Sequence, residues 1–136
     1  ALIAHRKISD IWPKAAHATT FGGHPVMMAA GCAAVKAMRT ERILANVNRQ
    51  SATVFKQLAQ LQAKLPIIRQ VRGVGLMVGI ELSIPGLPVV AEAMRQGILI
   101  NCTQGNILRL YPALNITREQ LDLGLKRLET TLKRFL

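Results

Sequence analysis

At Pro66 the spacing of apolar residues changes its period, and that change limits what kind of domain this chain can build. Before it, from Leu44, the positions Val47, Val54, Leu58, Leu61 and Leu65 recur at three- and four-residue steps, with Ser51 filling the gap. That stripe predicts an amphipathic helix that the proline ends. After it, Ile67–Arg72 and Leu76–Leu82 are short, β-branched-rich runs separated by Gly73-Val74-Gly75, which predicts two strands joined by a tight turn or bulge. The Gly-Val-Gly is not a dinucleotide fingerprint, because no third glycine and no helix follow it.

The remaining punctuation completes the pattern. Pro85 and Pro88 bracket a loop, Pro88–Gln96 predicts a short helix, and Gly97 supplies its C-terminal stop. Ile98–Cys102 and Asn106–Tyr111 predict a hairpin across Thr103-Gln104-Gly105. The last helix is announced by Ile116, Thr117, Gln120 and Leu121, a hydrophobic staple combined with a capping box. Its apolar face is Leu121, Leu125, Leu128, Leu132 and Phe135. Upstream, Pro25–Arg39 is apolar nearly all round and predicts a helix buried on most sides, after which Thr40 offers a fresh N-cap. Ala1–Ala4 predicts a short buried strand, and His5–Trp12 an amphipathic turn or two before Pro13. The expected class is a two-layer α+β domain with helices on one face of a mainly antiparallel sheet. Residues 1–24 belong to something else, since a lone strand and loop cannot fold alone.

Composition narrows the function. At 136 residues and 50% hydrophobic the chain can bury one core. Lys36 and Arg39 close the longest apolar run before it reaches a membrane span, and Ala1 to Lys7 lack the basic-then-apolar order of a signal peptide. Cys32 and Cys102 sit in apolar surroundings without metal-type spacing, which suits free thiols in a reducing compartment such as the cytoplasm. The net charge of +11 comes from dispersed Lys and Arg with few aromatics. That distribution argues against nucleic acid and suits a portion of a protein whose remainder carries compensating acids.

Two places could carry chemistry. In His17-Ala18-Thr19-Thr20-Phe21-Gly22-Gly23-His24-Pro25 a glycine pair and two hydroxyls precede a helix N-terminus. This is either an ordinary capped loop or an anion site, most naturally for phosphate. Arg109 lies inside Asn106-Ile107-Leu108-Arg109-Leu110-Tyr111, where alternation puts Ile107, Arg109 and Tyr111 on one face. It is either a snorkelling edge residue or a receptor for a carboxylate. Glu81 and Glu92 read as solvated single carboxylates and Trp12 as packing; His5, His17 and His24 lack metal spacing.

Together Thr19-Thr20-Phe21-Gly22-Gly23-His24-Pro25, Arg72-Gly73-Val74-Gly75-Leu76-Met77, Gly79-Ile80-Glu81-Leu82, Gly97-Ile98-Leu99-Ile100-Asn101-Cys102-Thr103 and Ile107-Leu108-Arg109-Leu110-Tyr111-Pro112 resemble the C-terminal part of the class III pyridoxal-phosphate aminotransferases. The resemblance covers residues 1–136. The Ile-Asn-Cys-Thr run and the short Ser83–Pro88 connection favour members acting on N2-acetyl-L-ornithine. It implies a fold-type I transferase, with 1–24 as the tail end of the large cofactor-binding domain and 25–136 as a linking helix and small C-terminal domain. It also implies the cofactor pyridoxal 5'-phosphate, a cytoplasmic homodimer with shared active sites, amino-acid and 2-oxo-acid substrates, and a place in arginine biosynthesis. Carried over by position, Thr20 donates to the cofactor phosphate of the partner subunit. Thr19, where the family usually has Ser, lines the substrate site, and Arg109 binds substrate carboxylate. His24 stands where Asn is usual. No lysine here matches the cofactor-lysine motif, so no catalytic residue is expected and the chain alone should be inactive. The alternatives are another class III member, acting on ornithine, 4-aminobutyrate or a diamine, and a non-enzymatic basic α+β binding module.

Overall fold

The computed structural model describes residues 3–13 and 19–136. They fall into two compact units, 1–36 and 37–136. In the first, α1 (Arg6–Ser9) is a single turn opened by His5, whose Nδ1 accepts from the Lys7 N–H at 3.2 Å. Ile3 and Ala4 are irregular and exposed, so the described half of the expected buried strand is not one; Ala1 and Leu2, like His17, lie outside the described residues. Trp12, expected to pack, is 50% exposed.

The helix α2 (Pro25–Thr40) forms where the sequence places it, but none of its residues is buried. Its all-round apolar surface predicted the opposite. Val26, Met27, Met28 and Val35 are each more than half exposed. The pattern shows that a surface is apolar; whether it is covered depends on what packs there.

Unit 37–136 holds the core. α3 (Ile43–Lys64) carries Val54, Leu58 and Leu61 inward, and buried Gln50 rather than half-buried Ser51 fills the gap in the stripe. Thr40 does not cap α3. It ends α2 instead, its hydroxyl donating back to the Ala37 carbonyl at 3.4 Å, and Arg42 in a left-handed conformation (φ 52°) makes the break. β1 (Ile68–Val74) and β2 (Met77–Leu82) pair antiparallel, with Val74 opposite Met77. The two-residue turn Gly75-Leu76 has its positive φ (60°) at the first position only, as a II′ hairpin requires.

α4 (Gly86–Arg95) starts two residues before Pro88, which sits in the first turn where no N–H is needed. It ends in a Schellman motif: Ile98 N–H donates to Ala93 O and Gly97 N–H to Met94 O, both at 3.0 Å, with Gly97 at φ 76°. That motif spends the Ile98 N–H, so β3 (Asn101–Thr103) begins three residues later than the pattern suggested. β4 (Ile107–Leu110) follows a Gln104-Gly105-Asn106 loop, and α5 (Arg118–Lys133) opens with the expected reciprocal capping box of Thr117 and Gln120.

The sheet order is β1-β2-β4-β3, antiparallel throughout. Val78, Ile80 and Leu82 of β2 and Leu108 of β4 meet Val54, Leu58 and Leu61 of α3, Val89 of α4 and Leu121, Leu125, Leu128 and Leu132 of α5 in one buried cluster. The class is thus α+β, helices covering one face of the sheet.

Candidate functional site

The uncovered sheet face carries the polar chemistry. In antiparallel strands, residues directly opposite share a face, and the register lines up Arg72, Gly79, Arg109 and Asn101 in one row from β1 to β3. Leu108, next to Arg109, is fully buried beneath, while Arg109 stands exposed above. The strand order also removes one reading of Arg109: β4 lies between β2 and β3, so it is not an edge strand.

The two arginines of the row differ in occupation. Arg72 Nη1 donates to Glu81 Oε2 at 2.6 Å and to Gln70 Oε1 at 2.7 Å. Glu81 is therefore a half-buried ion-pair partner, not a solvated carboxylate. Arg109 donates from Nε to Asn101 Oδ1 at 3.2 Å and pairs with no carboxylate among the described residues. Its two terminal nitrogens remain free to form the parallel pair of bonds that suits a carboxylate. A depression of about 200 Å³ lies over Gly79, rimmed by Arg72, Ile107, Thr103 and Arg109.

The other candidate residues belong to the unit 1–36. Gly22 N–H donates to Thr19 O and His24 N–H to Phe21 O, both at 3.1 Å, giving two overlapping turns that deliver the chain to α2. Gly23, at φ 78°, makes the second turn possible. Thr19 and Thr20 are exposed, and neither hydroxyl is engaged by another described residue. No acidic side chain occurs from Thr19 to Thr40. Hydroxyls and the first N–H groups of a helix are donors of the kind that a phosphate accepts from.

Glu92, also expected to be solvated, is buried on α4 with its side chain 8% exposed. It accepts from Gln96 Nε2 at 2.9 Å, Arg95 Nη1 at 2.8 Å and Arg134 Nη1 at 2.7 Å. The Gln96 and Arg95 hydrogen bonds hold its carboxyl below the ordinary range, outweighing the burial that would raise it. With all three donors taken up internally, this cluster ties α4 to the end of α5.

Sequence reasoning missed the rest of the row: Gly79, Asn101 and the engaged state of Arg72. A glycine inside the run Met77–Leu82 was the available signal, since strand interiors rarely favour one. Asn101 gave none, because its proximity to Arg109 arises from pairing across the hairpin.

The sequence pattern of a family described as "Aminotransferase class-III" matches residues 1–132. The chain is 41% identical over 122 residues to the acetylornithine aminotransferase of Methanosarcina acetivorans, covering 90% of this chain and 30% of that protein. It is 38% identical over all 136 residues to acetylornithine aminotransferase 1 of Bordetella parapertussis, 35% of that protein's length. The solved structure of acetylornithine aminotransferase from Elizabethkingia anophelis superposes with a TM-score of 0.85 at 30% identity, over 98% of this chain and 36% of that one. The chain thus spans about a third of the length of these relatives.

Proposed function

The chain belongs to the class III aminotransferases, a pyridoxal-phosphate-dependent family, and on that premise we propose that the complete subunit carrying it moves the terminal amino group of N2-acetyl-L-ornithine to 2-oxoglutarate, in arginine biosynthesis. The observation that carries the reading is Arg109, an exposed arginine with two unengaged terminal nitrogens, in one row with an Arg72 that is already paired to Glu81. Both substrates are carboxylates, and a planar guanidinium held through Nε by Asn101 presents its far edge to one. Identities of 41% and 38% to acetylornithine aminotransferases, against 34% to an ornithine aminotransferase, support the choice of donor.

The remaining roles are those that the family resemblance implies for these positions. The Thr20 hydroxyl binds the cofactor phosphate, in a homodimer the phosphate held by the partner subunit, and Thr19 borders the substrate. The bound cofactor supplies the electron-withdrawing ring that makes amino-group transfer feasible. The residues of this chain bind and orient; none of its lysines lies in the family's cofactor-lysine motif, and the chain alone is inactive on this reading.

Arg109→Lys in the complete subunit tests it. Lysine keeps the charge but not the fork. Single-turnover measurement of each half-reaction should show kcat/KM for glutamate down about 10- to 100-fold, the loss of a hydrogen bond to a charged group, and the acetylornithine half-reaction less affected. Unchanged kinetics with both donors would make Arg109 a surface strand residue.

A further inference from the structure

Gly79 stands where the fold does not need a glycine. Inside a sheet the residue is a cost, because it packs nothing and gives up the most chain entropy on folding. A positive φ, a bulge or a close approach normally accounts for it. Positive φ is found at Gly23, Gly73, Gly75, Gly97 and Gly105, not at Gly79. The register runs unbroken from Arg72 through Gly79 to Arg109, and the one irregularity of the β1–β2 pair lies between Ile68 and Gln70. Nor does the protein crowd it. A β-carbon placed on Gly79 would meet Ile107 Cγ2 at 3.4 Å, the Arg72 carbonyl oxygen at 3.8 Å and Arg72 Cγ at 4.0 Å, all ordinary contacts. Gly73 and Gly86 are different: there the added carbon would collide with the Met77 carbonyl oxygen and with Cys102 Sγ.

Close approach by something outside these residues is what remains, and the surroundings indicate its chemistry. Gly79 floors the depression of about 200 Å³ on the open face, directly opposite Arg109. On its other side Arg72 is already neutralised by Glu81. The attraction over Gly79 is therefore toward Arg109 alone. A side chain at position 79 would start about 5 Å from the base of the Arg109 side chain, inside the depression that both residues line.

We propose that Gly79 is a specificity-determining position: the missing side chain in the row Arg72–Gly79–Arg109–Asn101 is the seat over which a dicarboxylate substrate brings a carboxylate to Arg109. This rests on the reading of Arg109 as a carboxylate receptor, and the test separates the two.

In the complete subunit, Gly79→Ala, Gly79→Val and Arg109→Lys are compared by thermal unfolding and by steady-state kinetics with 2-oxoglutarate and acetylornithine varied in turn. Gly79→Ala should unfold no lower than the parent, since the space exists and glycine entropy is removed. KM for 2-oxoglutarate should rise several-fold in Gly79→Ala and about 10- to 100-fold in Gly79→Val, the equivalent of losing the charged hydrogen bonds, with kcat and KM for acetylornithine little changed. If KM for 2-oxoglutarate is unmoved in both glycine variants but rises in Arg109→Lys, the inference fails and the Arg109 reading stands. If it is unmoved in all three, both fail. A lowered Tm in Gly79→Ala, or an equal loss of kcat/KM for both substrates, would show that the glycine serves packing, which also overturns the proposal. Should Gly79→Val not fold, the alanine variant alone decides.

Discussion

Thr19 and Thr20 are neighbours with the same side chain, and only their chemistry toward a ligand can tell them apart. On the proposed assignment Thr20 holds phosphate and Thr19 faces substrate. Thr20→Val in the complete subunit should weaken retention of pyridoxal phosphate by about ten- to a hundredfold, since a hydrogen bond to a charged group is worth about 1.5–3 kcal/mol. Thr19→Val should leave retention nearly unchanged and raise KM for the amino donor. Equilibrium dialysis of the two variants decides; equal loss of cofactor would reverse or erase the assignment. That these residues stand out at all in the sequence is a local matter, because Gly22-Gly23-His24-Pro25 announces a turn and a helix start within a few positions. Arg109 could be singled out for a similar reason, as a charge between two leucines. Its partner Asn101 could not, because the contact is made only when two strands pair in one register.

At the scale of elements, features set by short-range chemistry were legible and those set by pairing were not. The Thr117–Gln120 capping box, the stop at Pro66 and the glycine end of α4 each depend on residues a few positions apart. The sheet order β1-β2-β4-β3 depends on contacts between distant segments, and no spacing in the chain encodes it. Glu92 shows the consequence for a single residue. Its place on α4 was visible, but Arg134 reaches it from the end of α5, and a lone carboxylate became the centre of a buried cluster. A prediction belongs to this scale. Because the Glu92 carboxyl is held below its ordinary value of 4.5, it binds fewer protons folded than unfolded through that range. Its contribution to stability is then complete above about pH 4.5 and lost as pH falls through the lowered folded value. Glu92→Gln should lower Tm at pH 7 and reduce the further decline of Tm on acidification; Tm measured from pH 7 to pH 3 would show it. A variant with the parental Tm at pH 7 would mean that the cluster holds nothing together.

For the whole molecule, the distribution of buried apolar residues is lopsided. Every buried hydrophobic side chain among the described residues lies between Ile43 and Leu132, and α2, apolar as it is, contributes none. Hydrophobic stabilisation follows the apolar area removed from water, so the unit 37–136 should fold on the strength of its own core. A chain consisting of residues 37–136 should therefore unfold cooperatively, with a Tm within about 3 °C of the 136-residue chain, which for a domain of this size is less than about 1 kcal/mol. Leu58→Ala, made in both chains, calibrates the comparison. Leu58 is fully buried where α3 meets the sheet, and its loss should cost about 2–5 kcal/mol in either length. Circular dichroism melts of the four proteins carry the test. If the shortened chain melts without a cooperative transition, or if Leu58→Ala matters much less in it, then residues 1–36 stabilise the domain through something other than the buried surface on which this expectation rests.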